Sequence, residues 1–149
     1  DLAAVVEEPA GTLVAFSAPS GAMLPRMLPW SVPQPAHSWS ATSVFENGVA
    51  RMSQALFESL AVNGLTMDDI DVLIPHQANL RMLETIIEQT SFPQEKVFIN
   101  VVEYGNIASA SLPIAFHEAR QSGMVRDGSL CLLVAFGSGF VWGSVLLRM

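Results

Sequence analysis

A chain of 149 residues is at most one ordinary domain. Half of it is hydrophobic and only 14% is charged, against roughly 25% in soluble domains, so much of its surface is expected to lie against another polypeptide or a further part of its own protein. The net charge of −7, with Lys96 the only lysine, argues against nucleic acid, whose phosphates need a basic face, and against an anionic membrane surface.

The first two segments, "LAAVVEE" and "TLVAFSA", read as strands around Pro9 and Gly11, and the Pro- and Ser-rich residues 19–40 read as a long loop. Phe45, Val49, Met52, Leu56 and Leu60 then recur at helical spacing and Gly64 follows as a stop, which predicts a helix over residues 43–63. Next come a strand at 71–74, a helix at 79–89, a strand at 97–101 and a helix at 108–121. In that last helix, "ASASLPIAFHEA" is small or apolar nearly all round, the pattern of a helix buried on both sides. Pro113 lies either in its early turn or at a kink. The apolar stretch "LCLLVAFGSGFVWGSVLL" approaches the length of a membrane span, but Gly137, Gly139 and Gly143 divide it. Two buried strands joined by a glycine turn are expected instead.

Strand, helix, strand order implies an α/β fold, a parallel sheet with helices packed on it, finishing in an antiparallel hairpin. The chain starts at Asp1 and enters a strand-like segment at once, as a piece of a longer protein would. With one cysteine, Cys131, an internal disulfide is impossible, and no charged leader precedes an apolar core, so a reducing cytoplasm is expected. His37, His76 and His117 stand far apart without a carboxylate or thiolate in ligand spacing, so no metal is expected. The glycines at 137–143 do not have dinucleotide spacing, and no G-x-S-x-G elbow occurs.

In "DVLIPHQANLRM" an apolar run stops at Pro75, and His76, Gln77 and Asn79 follow; in "VEYGNIASAS" Asn106 emerges from an apolar run in the same way. In open α/β sheets reactive groups collect beyond the carboxyl ends of the strands. His76, Asn106 and the Gly137–Gly139 turn are therefore expected on one edge. Taken singly, a histidine after a strand or an asparagine in a turn is an ordinary structural residue.

"IPHQANLRM", "YGNIASAS" and "FGSGFVWGSVLLRM", in that order, resemble the C-terminal half of β-ketoacyl-acyl-carrier-protein synthase III, a condensing enzyme of the thiolase superfamily. The resemblance implies that residues 1–149 form a thiolase-like C-terminal domain, with a mixed five-stranded sheet and helices on both faces. It pairs with an absent N-terminal half, and residues 1–18 are strands at the junction. It implies decarboxylative Claisen condensation of an acyl thioester with a malonyl thioester, with His76 and Asn106 catalytic and the backbone N–H of Ser138 in a second oxyanion hole. Ser138 departs from the glycine frequent there, which a backbone donor tolerates. The nucleophilic cysteine of the family lies in the missing half; Cys131, within a strand, reads as a small buried hydrophobe.

The implied substrates are acyl-CoA and malonyl-carrier thioesters, with no cofactor, and the implied assembly is a homodimer that docks an acyl carrier protein. Arg81, Asn79 and Arg51 are the candidates for holding carrier or coenzyme A. Glu46, Glu58, Glu84 and Glu88 oppose an acidic carrier, and Arg51 reads more readily as a solvated helix residue. Two other readings are a non-catalytic binding or structural half-domain, and a related acyltransferase of specialised metabolism that makes another product from the same acyl-enzyme.

Overall fold

The computed structural model describes residues 12–17, 40–138 and 141–149. The expected strand at 2–8, the loop expected at 19–40 apart from Ser40, and His37 lie outside them. Strand β1 (Thr12–Ser17) precedes helix α1 (Ala41–Asn63), strand β2 (Val72–Pro75) and helix α2 (Leu80–Thr90). A single helical turn α3 (Val101–Tyr104), helix α4 (Ser111–Gln121) and strands β3 (Leu130–Gly137) and β4 (Val141–Arg148) complete the order.

Local chemistry sets the helix ends. Ser40 Oγ accepts the N–H of Ser43 at 3.0 Å to open α1, and Gly64, at φ 64°, closes it in the left-handed conformation that glycine adopts without a Cβ penalty. Asn79 opens α2 in the same way, its side chain accepting from the Met82 N–H at 2.9 Å. Pro113 falls in the first turn of α4, where its missing N–H has no intrahelical partner to lose.

The sheet runs β1-β4-β3-β2, with β2 parallel to β3 and the other pairs antiparallel. It is therefore a mixed sheet, as expected, but of four strands among the described residues rather than five. The expected strand at 97–101 shrinks to one parallel bridge, Leu73 with Val97, after which the chain turns into α3. The cause is a long-range one, because the Gln77 side chain accepts the backbone N–H groups of Asn100 and Val101 at 2.9 and 3.0 Å and starts a helical turn there.

Side chains alternate across β2 and β3, so both faces of these strands are buried and their sequences read as continuous apolar runs. On one face Leu73, Leu132 and Val134 pack with Val49, Met52 and Leu56 of α1 and Met82 and Ile86 of α2. On the other, Val72, Ile74 and Cys131 pack with Ala115 and Ala119 of α4 and with Val125. Helices thus cover both faces of the sheet. Helix α4 itself is not buried on both sides in this chain: only Ser111, Ala115 and Ala119, one stripe at i, i+4 spacing, are buried. Among the described residues no helix is long and apolar enough to cross a membrane.

Candidate active site

Parallel strands β2 and β3 end on the same edge, and β2 delivers His76 there while β3 delivers Gly137 and Ser138. The edge is stapled: the His76 N–H donates to the Val134 carbonyl at 2.7 Å, and the Ala78 N–H donates to the His76 carbonyl at 2.8 Å in a tight turn. A cleft of about 570 Å³ opens at this edge, lined among others by His76, Asn106, Ser138, Met82, Leu112 and Phe136. Three residues widely separated in sequence share one mainly apolar space.

The loop carrying Asn106 is held by its own chemistry. Gly105 sits at φ 65°, ψ −161°, a region that essentially only glycine occupies, and its N–H closes α3 onto the Val101 carbonyl at 2.8 Å. Asn106 Oδ1 accepts the Ala108 N–H at 3.0 Å. That bond uses the acceptor side of the amide and leaves Nδ2 as the group the side chain can offer to a ligand. Ala108 pays for the turn with a φ of 53°, an unusual value for a residue with a Cβ. The Ile107 N–H is taken up by Ser111 Oγ at 3.2 Å.

Burial alone pushes the His76 imidazole below its ordinary pKa, because desolvation disfavours the cation. At neutral pH it is a neutral ring with one N–H to donate. Cys131 is fully buried, and burial first and the Asp71 carboxylate second push its thiol up to about 11. A thiol so rarely ionised is no nucleophile.

The other predicted residues stand away from the cleft lining. Arg51 lies over the Trp142 ring at 4.4 Å and donates to Gln54 Oε1 at 2.8 Å. Arg81 is exposed, 5.7 Å from the centroid of the Phe45 ring. Asn79 is the α2 cap. Among the described residues no group of three or more His, Cys, Asp or Glu could hold a metal ion.

Gln77, which the sequence marks only as a polar residue beside His76, belongs to the same edge. It is 1% exposed, and beyond accepting from Asn100 and Val101 it donates through Nε2 to the Pro75 carbonyl at 2.8 Å and the Phe98 carbonyl at 3.2 Å. The polar letter between His76 and Ala78 was visible; its burial was not.

Residues 60–149 match the family model described as 3-oxoacyl-[acyl-carrier-protein (ACP)] synthase III C terminal. The chain belongs to that family. It is 48% identical over 105 residues to a β-ketoacyl-[acyl-carrier-protein] synthase III of Nitratidesulfovibrio vulgaris strain DP4, covering 70% of this chain and 32% of the relative. With the enzyme of the same name from Symbiobacterium thermophilum it shares 40% identity over 143 residues, 95% of this chain and 43% of the relative. The crystal structure of 3-oxoacyl-[acyl-carrier-protein] synthase III from Aquifex aeolicus VF5 superposes with a TM-score of 0.70 at 42% identity, over 72% of this chain and 35% of that one. The synthase III likeness therefore covers most of the fold described here, and the matched part of the chain spans 32–43% of the length of these relatives.

Proposed function

We propose that this chain is the C-terminal catalytic half of a β-ketoacyl-acyl-carrier-protein synthase III-like enzyme. The observation that carries the reading is the convergence of His76, Asn106 and Ser138 on one cleft. In the proposed reaction the C–C bond to the malonyl carboxylate breaks, carbon dioxide leaves, and the electron pair passes into a thioester enolate. The neutral His76 N–H and the Asn106 Nδ2–H donate to the enolate oxygen, stabilising charge where it develops in a water-poor site. The mainly apolar lining supports that role. No base is needed, since the departing carboxylate carries no proton.

The enolate carbon then bonds to the carbonyl of an acyl group held on a cysteine, and the resulting oxyanion is met by the Ser138 N–H. When it collapses, the C–S bond breaks and the cysteine leaves as thiolate, yielding the β-ketoacyl thioester. That cysteine belongs to an N-terminal half outside residues 1–149, since the burial and raised pKa of Cys131 disqualify it. The same half covers apolar side chains left open here on the elements flanking the cleft, Val102 at 72%, Tyr104 at 47% and Val141 at 57% exposure. An exposed Arg81 near the start of α2 is available to a carrier or coenzyme A phosphate. Asn79, spent on the helix cap through Oδ1, and Arg51, stacked on Trp142, are weaker candidates for that contact. No cofactor enters this scheme. A homodimer in a reducing cytoplasm is the setting proposed; the one thiol of the chain, free and buried, fits the reducing compartment.

The test uses the full-length enzyme, with acylation followed by intact mass and malonyl-thioester decarboxylation by carbon dioxide release. Replacing His76 by Ala lowers decarboxylation about a hundredfold or more, while acylation suffers much less. Equal loss of both steps, or an acyl group found on Cys131, would overturn the reading.

A further inference from the structure

The site described above has two donors on separate segments, one after β2 and one after α3, and among the described residues one side chain, Gln77, bonds the end of β2 to the start of α3. We propose that Gln77 is a positioning residue for the reaction: it clamps the end of β2 to the start of α3 so that His76 and Asn106 face one oxygen together. This rests on the functional reading above and deepens it.

All the hydrogen-bonding capacity of the Gln77 amide is spent on backbone. Its Nε2 donates to the carbonyls of Pro75 and Phe98, at 2.8 and 3.2 Å. The Pro75 carbonyl belongs to the peptide unit whose N–H is that of His76, and that N–H is itself fixed to Val134 at 2.7 Å. The peptide from which the imidazole hangs is thus held on both edges.

The opposite end of the amide, Oε1, accepts from Asn100 and Val101 at 2.9 and 3.0 Å. These are first N–H groups of α3, which has no side-chain cap of its own. Because α3 is one turn long and is capped by Gly105, directly before Asn106, a shift at Asn100 reaches Asn106 with little slack. A second brace holds the outer side: the Asn100 amide donates to Glu118 of α4 at 2.8 Å, and the Tyr104 hydroxyl donates to the other Glu118 oxygen. With Tyr104 and Asn100 tied to α4, the buried Gln77 is the link that ties the same turn to His76.

Gln fits this place as no near neighbour does. Glu can accept the two N–H groups but opposes the two carbonyls, Met fills the volume without any bond, and Asn is one methylene too short to reach both arms. Misplacement by about 1 Å is enough to cost on the order of a hundredfold in rate. The experiment is steady-state kinetics of the full-length enzyme carrying Gln77→Met or Gln77→Asn, with decarboxylation and cysteine acylation measured separately.

Gln77→Met is expected to lower kcat for decarboxylation about a hundredfold, with the malonyl-thioester KM and the acylation rate within about threefold of wild type. Gln77→Asn should fall between, and decides the matter if the Met variant does not fold. In an Asn106→Ala background Gln77→Met should cost less than about tenfold, because one of the two donors it aligns is gone. Wild-type kcat in both variants, or equal loss of decarboxylation and acylation, would overturn the proposal. His76→Ala and Asn106→Ala run alongside separate the two failures. If they too keep full decarboxylation, the functional reading fails; if they lose it while both Gln77 variants keep it, only the positioning role does.

Discussion

Asn106→Asp is the sharpest probe of how charge is stabilised in the cleft. The substitution is nearly isosteric and keeps an oxygen for the Ala108 N–H, which the wild-type amide accepts at 3.0 Å, so the turn is retained. It replaces the Nδ2 donor by a second carboxylate oxygen. Loss of a donor to an oxyanion costs about 10²–10³ in rate, or roughly 3–4 kcal/mol, and that part is shared with Asn106→Ala. The carboxylate adds repulsion toward the enolate, about 1 kcal/mol at 4 Å in bulk water and about 4 kcal/mol at an effective dielectric of 20.

Asn106 is exposed in this chain, so the smaller figure sets the lower bound. The Asp variant should therefore decarboxylate malonyl thioester at least about fivefold more slowly than the Ala variant. Carbon dioxide release from the two full-length variants at neutral pH, with thermal melts to check that both fold, measures the difference. An Asp variant equal to or faster than the Ala variant would refute donation from Nδ2.

Three further outcomes are expected. Because burial lowers the His76 pKa below 6.5, the unfolded chain binds the extra proton first; this contribution to stability is fully present above about pH 6.5 and is lost as pH falls through the folded value. Urea midpoints between about pH 5 and 7 should show a slope that His76→Asn removes. Cys131, with its thiol raised to about 11, should resist alkylation at pH 8 in the native enzyme, and Cys131→Ala should leave condensation unchanged while costing about 1 kcal/mol in stability. Arg51→Ala should lower stability by about 0.5–1 kcal/mol through loss of the Trp142 contact without changing carrier KM, whereas Arg81→Glu should raise that KM.

Much of the fold was legible because burial repeats at simple periods. Val49, Met52, Leu56 and Leu60 recur on one face of α1, and all four are buried as their spacing required. The stretch 130–147 could be divided into β3 and β4 because glycines interrupt it. Segment 97–101 misled for the opposite reason: Val97 to Ile99 are strand-like letters, but what ends the strand is a side chain 23 residues upstream, and local propensity carries no trace of so distant a cap. Helix α4 misled in a related way. Its composition records burial on both sides, while the described residues bury only the Ser111, Ala115 and Ala119 stripe.

By itself the sequence determined most of the alternation of elements, the Gly64 stop of α1, and the two motifs that carry His76 and Asn106, since these depend on residue type and near-neighbour spacing. Only the tertiary structure decided that Pro113 is harmless in a first turn, that Arg51 is occupied by Trp142, and that Gln77 is buried with its whole amide bonded to backbone. These depend on which distant groups the chain brings within hydrogen-bond or stacking distance. Such encounters are set by packing the whole sheet between its helices, and no local window contains them.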